Sequence, residues 1–222
     1  MKMKPVTIIV GADQGLGLAI TEKFGQEGHR VILIARNRDK LAADSQSLTK
    51  KGIENAYYPA DVSQLAKIDS LLKKISQEQG KPANLIFNVA DTRSDTALSS
   101  DMATIKEMLA TNTLSAIQCA RSFITYSDSK AQRNILFTNG WDGDDPAAAA
   151  STLSLTKAAL RSYAITLHAA IEKDDIFSGL VTIEQPIGKT PEMAPANIAN
   201  AFWVLTQKRQ PVEVHFPGTN SL

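Results

Sequence analysis

The stretch "VTIIVGADQGLGLAI", Val6–Ile20, decides the fold. Its first five residues are mostly β-branched and largely apolar, as expected of a strand covered on both faces. The run passes directly into Gly11, Gly15 and Gly17. Beyond these, Leu16, Ala19, Ile20 and Phe24 step by three and four, as along one face of a helix. In such a strand-to-helix turn a glycine allows positive φ, lets backbone approach a pyrophosphate and lets the helix pack closely on the strand. The helix N-terminus adds unpaired N–H groups and a partial positive charge suited to phosphate. Gly11, Asp13, Gln14, Gly15, Leu16 and Gly17 are therefore candidate nucleotide contacts; an ordinary tight turn is the alternative.

The next apolar run, "RVILIA", ends at Arg36 and Asn37. A NAD-binding domain carries an acidic residue there for the ribose 2′-hydroxyl, whereas an arginine suits the 2′-phosphate of NADP. The expected cofactor is NADP, with Arg36 and Asn37 at its adenosine end; a solvated loop arginine is the alternative. Further β-branched runs, "NAYYPA", "NLIFNVA", "NILFTN", "GLVTIEQ" and "VEVHF", alternate with helical spacing over roughly 38–51, 64–79, 99–130, 147–173 and 195–208. This alternation predicts an α/β fold, a doubly wound parallel sheet between helical layers. No linker or repeat divides residues 1–222, so one dinucleotide-binding domain is expected.

The 222 residues carry a net charge of +1, with 43% hydrophobic and 21% charged side chains. Bulk electrostatics thus point to neither a nucleic-acid nor a membrane partner. The single cysteine, Cys119, lies in the apolar stretch "SAIQCARSF" and reads as a small core residue. No apolar run is long enough to span a bilayer, and the N-terminal one is too short for a secretory signal. A soluble cytoplasmic protein is expected.

Taken in order, these segments resemble the short-chain dehydrogenase/reductase family over nearly the whole chain. The glycine spacing is similar to the family's T-G-x-x-x-G-x-G, with Val10 for threonine. "ADV" at Ala60–Val62 resembles the segment whose aspartate contacts adenine, which implies Asp61 and Val62 as cofactor residues. "NVAD" stands where the family has N-N-A-G, keeping Asn88 and Ala90 but carrying Val89 and Asp91. "TNTLSAIQCARSF" resembles the helix of the catalytic asparagine, Asn112, and "SLTKAAL" the segment of the active lysine, Lys157. "EQPIGKT" resembles P-G-x-V-x-T, keeping Pro186 but one residue short and with Ile187 for glycine. The resemblance implies seven strands in the order 3-2-1-4-5-6-7. It also implies a homodimer or homotetramer formed through the helices at about 99–130 and 147–173.

The family's chemistry needs a tyrosine four residues before the lysine, and a serine that orients the substrate oxygen. Here those positions are Leu153 and, thirteen residues earlier, Gly140. Leucine has no exchangeable proton and cannot serve as acid or base. Asn112 and Lys157 remain as catalytic candidates, and Lys157 also as a cofactor contact. Thr138 lies deeper in its strand, Ser151, Thr152 and Ser154 have no nearby base, and Tyr163 is about three helical turns away. Asp142, Asp144 and Asp145 read as a solvated acidic loop. His29, His168 and His215 show no metal or triad spacing and read as structural or surface residues, so no metal is expected. The segment "KTPEMAPAN" leaves little room for the family's helical lid over substrate. An NADP-dependent oxidoreductase of unknown small-molecule substrate and a non-catalytic NADP(H)-binding sensor or structural partner both stay open.

Overall fold

Val6–Val10 forms β1, buried at every position, and Pro82–Phe87 forms its neighbour β4, buried likewise. These continuous apolar runs take the middle of the sheet, where both faces are covered. In the computed structural model, which describes residues 4–218, they are flanked by β2 (Arg30–Ala35), β3 (Asn55–Pro59), β5 (Arg133–Gly140), β6 (Ile176–Ile183) and β7 (Glu213–Phe216). The seven strands are all parallel, in the order β3-β2-β1-β4-β5-β6-β7. The expected Rossmann-like topology is therefore present.

Helices cover both faces. On one side α1 (Gly15–Gln26), α2 (Arg38–Lys50) and α7 (Pro195–Lys208) bury Leu16, Ile20, Phe24, Leu41 and Phe202 against Ile9, Leu33 and Leu136. On the other, α3 (Ile68–Gln79), α5 (Ser115–Tyr126) and α6 (Ser151–Ile171) bury Leu72, Phe123 and Leu160 against Ile8, Leu85 and Phe137. Cys119 belongs to this second layer, and burial pushes its thiol up to about 12, away from any reactive thiolate. Among the described residues, no helix is long and apolar enough to cross a membrane.

Two helices differ from their expected form. The one expected over 99–130 is α4 (Met102–Leu109) joined to α5 by a π-helical turn, Ala110–Leu114, that contains Asn112. The one expected to start near Ala147 starts at Ser151, because the four alanines offer helix propensity but no cap. The cap comes from across the fold: Asp95 Oδ1 accepts the Thr152 N–H at 2.9 Å. Residues 184–194 connect β6 directly to α7, with Met193 buried beneath α1 and α7. No helical lid occupies that connection.

Candidate nucleotide-binding and catalytic site

The C-terminal ends of β1, β2 and β4 meet at the glycine turn. Gly11 has φ +81°, and a Cβ there would lie 2.6 Å from the Asn88 carbonyl oxygen. A Cβ on Gly17 would come within 1.9 Å of the Gly11 carbonyl oxygen, so only glycine lets α1 pack this close to β1. Gln14 takes a positive φ of 58° at the helix entry, with its Oε1 accepting from Lys40 Nζ at 3.0 Å. No side chain caps α1, and no acidic residue sits in its first turn. Its amides are left to an anion.

Beside this turn runs a groove of about 600 Å³. Gly11, Asp13, Arg36, Asp61, Val62, Asn88 and Ala90, all candidate contacts in the sequence, line it together. Arg36 is exposed at its rim. Burial alone would raise the Asp61 carboxyl, but hydrogen bonds from Ser63 and the nearby Arg36 charge hold it below its ordinary value. Asp91 behaves alike: burial pulls upward, while Arg93 and Arg36 hold it down. Two carboxylates thus stay ionised around Arg36. Asp91, Thr92, Arg93 and Thr111 also line the groove. Sequence reasoning proposed none of them as cofactor contacts; their signal is only that loops at the carboxyl ends of parallel strands border such crevices. Arg93 pairs with Asp91 at 2.8 Å and with Glu107 at 3.0 Å.

Other expected contacts lie off the groove lining. Leu16 and Gly17 are buried in helix packing, and Asn37 caps α2 by accepting the Lys40 N–H at 3.0 Å. Gly15 and Pro186 are exposed, Pro186 on the connection after β6. Lys157 sits under the cleft rather than in the groove wall.

Lys157 is 6% exposed, and its Nζ donates to the Thr138 carbonyl at 3.1 Å. Burial lowers its pKa to about 8, with Asp142 pulling the other way. The Thr138 hydroxyl donates to Asn88 Oδ1 at 2.8 Å, and Asn88 Nδ2 donates to the Gly11 carbonyl at 3.1 Å. A polar chain therefore runs from Lys157 to the glycine turn. Leu153, one turn before Lys157, is 8% exposed. Gly140 ends β5, and a Cβ there would meet only Asp142 Oδ2, at 3.5 Å.

Asn112 is wholly buried and fully engaged. Its Oδ1 accepts the Asp91 N–H at 2.6 Å, and its Nδ2 donates to the Asp91 carbonyl and to Thr156 Oγ1, each at 3.0 Å. The π-helical turn that holds it is a form common at functional sites. A second tie, at Asp95, joins the segment after β4 to the start of α6. Asp95 N–H donates to the Ala149 carbonyl at 3.1 Å, and Ser151 N–H donates to the Asp95 carbonyl at 3.3 Å.

The acidic loop and one histidine depart from expectation. Asp144 is not a purely solvated charge: its side chain is 19% exposed and pairs with Arg161 at 2.9 Å. His29 and His168 are structural, packed against Phe24 and Phe177. His215 stands within 3.1 Å of Glu184 and 3.9 Å of Glu213, a grouping made by strand register and invisible to linear spacing. Tyr163 packs on Phe137, remote from the cleft.

The model of the short chain dehydrogenase family matches residues 5–184. A short-chain dehydrogenase/reductase of Arabidopsis thaliana, SDRA, is 28% identical over 170 residues, spanning 76% of this chain and 66% of that protein. The NADP-dependent 3-hydroxy acid dehydrogenase YdfG of Shigella flexneri is 23% identical over 97% of this chain and 98% of its own. Among solved structures, a metagenomic short-chain oxidoreductase in complex with NADP superposes with a TM-score of 0.85 at 24% identity, covering 95% of this chain and 96% of that one. L-sorbose reductase of Gluconobacter frateurii, complexed with NADPH and L-sorbose, gives 0.87 at 21% identity, covering 96% and 94%.

Proposed function

The chain belongs to the short chain dehydrogenase family, and from that premise we propose that it binds NADP(H) without running the family's serine–tyrosine proton transfer. The observation that carries this reading is a contrast. The nucleotide cradle keeps its main supports: uncapped α1 amides, glycines that no other residue could replace at Gly11 and Gly17, and Arg36 at the rim. The proton-donor position holds the buried Leu153, and the orienting position holds Gly140. Gly11, Asp13 and Gly15 would take the pyrophosphate, Asp61 and Val62 the adenine, and Arg36 the 2′-phosphate. Lys157 and Asn88 would hold the nicotinamide ribose side. When bound, the nicotinamide supplies or accepts a hydride; no hydroxyl at Leu153 is there to move the accompanying proton.

A catalytic reading has one observation in its favour, a buried Lys157 with a pKa of about 8 beside Thr138. Fluorescence titration with NADPH beside NADH tests binding, and a carbonyl-substrate screen then tests turnover. Saturable NADPH binding with no turnover supports the non-catalytic reading. Turnover by the wild type at a rate ordinary for the family overturns it.

The same reading includes self-association, as a homodimer or homotetramer, in the cytoplasm. Leu155 and Ile165 on α6 are 53% and 38% exposed, and Met102 on α4 and Leu114 in the π-helical turn before α5 are 64% and 44% exposed. Such apolar side chains on paired helices suit a two-fold contact.

A further inference from the structure

We propose that Asp144, Glu213 and His215 form a divalent-cation site with the donor set of Zn²⁺ or Mn²⁺, apart from the nucleotide groove. Parallel pairing sets Thr182 of β6 opposite His215 of β7, and Glu213 lies two residues earlier on the same face. The turn after β5 brings in Asp144. One donor atom from each of Asp144, Glu213 and His215 lies within 4.8 Å of the other two. An imidazole and two carboxylates are a common ligand set for such ions.

The histidine is oriented for the task. Its Nδ1 is 3.1 Å from Glu184 Oε1, and a carboxylate can only accept, so this nitrogen carries the proton. In that tautomer Nε2 offers a lone pair; Asp144 Oδ2 lies on the other side of the ring, 4.0 Å from Nδ1. Among the described residues Nε2 makes no hydrogen bond; Glu213 Oε1 stands 3.9 Å away. That separation is too long for a hydrogen bond, and a closing of about 0.5 Å would bring the two donors to the roughly 3.4 Å of neighbours on a tetrahedral ion. A carboxylate behind a metal-binding histidine is the usual second partner that fixes its ring.

Charge points the same way. Asp144 and Glu213 face one guanidinium, Arg161, which holds Asp144 Oδ1 at 2.9 Å and both Glu213 oxygens; the Thr182 hydroxyl also donates to Glu213 Oε1 at 2.6 Å, and Glu184 adds a third carboxylate behind His215. Arg161 pins both carboxylates in place and leaves Asp144 Oδ2 to other partners. A divalent ion offsets the remaining negative charge.

Asn139 is an independent sign of missing polar partners. It shares the cross-sheet row with Thr182 and His215, is 1% exposed, and has no partner for either amide atom. A Cβ on Gly143, next to Asp144, would lie 3.1 Å from its Nδ2, so the same turn roofs both. Buried amides are nearly always satisfied, by protein or by ordered water.

The experiment is a Zn²⁺ titration of the chelator-stripped full chain by calorimetry, with tryptophan fluorescence read in parallel. Trp141 is a reporter, its ring centroid 6.2 Å from that of His215. The expected result is one saturable equivalent per chain and a change in emission. His215→Ala, which leaves the Arg161 pairs intact, weakens binding at least tenfold, and Glu184→Gln weakens it by about tenfold through the ring's orientation. Circular dichroism confirms that both variants fold. No saturable binding, or equal affinity in wild type and His215→Ala, overturns the proposal. NADPH titration of the same samples keeps this outcome separate from that of the nucleotide reading.

Discussion

Replacing Lys157 by methionine should make the protein more stable at neutral pH. An ordinary lysine titrates near 10.5, and burial brings Lys157 to about 8. Folding therefore places a cation where its charge is disfavoured relative to water, at a cost of roughly 3 kcal/mol at pH 7. Methionine keeps the length and apolar stem but loses the Nζ hydrogen bond to the Thr138 carbonyl, which is worth about 1 kcal/mol. The net gain is about 2 kcal/mol, or roughly 4–8 °C in Tm for a chain of this size. The sign follows from proton uptake: between about 8 and 10.5 the unfolded lysine holds a proton that the folded one has lost. Wild-type stability therefore rises with pH across that window, and its deficit relative to Lys157→Met is full below pH 8 and gone above 10.5. Urea melts of both proteins at pH 7, 8, 9 and 10 measure the gap, and other titrating groups cancel in the difference. A variant no more stable than wild type at pH 7, or a gap that stays constant with pH, would refute the reasoning. A lysine retained at such a cost is a lysine retained for what it contacts.

Arg36→Ala should weaken NADPH binding by roughly tenfold or more, since one charge-assisted phosphate contact is worth about 1.5–3 kcal/mol. NADH affinity, measured by the same fluorescence titration, should hardly change; equal losses would show that Arg36 does not read the phosphate. Leu153→Tyr combined with Gly140→Ser should create NADPH-dependent carbonyl turnover only when Lys157 is intact, and a gain that survives Lys157→Ala would place the chemistry elsewhere. Light scattering at micromolar concentration should show an oligomer that Leu155→Glu converts to a monomer; a wild-type monomer sinks the helix-pair contact.

How far the sequence could be read depends on how local each signal is. The β1 turn was legible because strand, glycines and helix are contiguous, and Arg36 because it directly follows β2. The topology followed from alternation and motif order. Asn112 was legible as a position but not as a clip, because its partner is the backbone of Asp91, twenty-one residues away. Arg93 lies outside any motif and became visible only once the loop after β4 was placed over the groove. The start of α6 was misjudged because its cap, Asp95, comes from a distant loop. Asp144, Glu213 and His215 are hidden by distance along the chain: only the register of the edge strand β7 brings them together.

The Asn112 clip has a mechanical consequence. One amide grips the backbone at Asp91, which lines the groove, and the Thr156 hydroxyl on α6, whose outer face carries Leu155 and Ile165. An occupant that shifts the Asp91 loop must drag α6 with it or break buried hydrogen bonds. Under the proposed assembly through α6, occupancy and self-association would become two readings of one equilibrium. Whatever factor nucleotide adds to self-association, self-association returns to nucleotide affinity. NADPH affinity measured at protein concentrations on either side of the dissociation midpoint would expose that exchange, and an affinity independent of concentration would show the clip to be only a rivet.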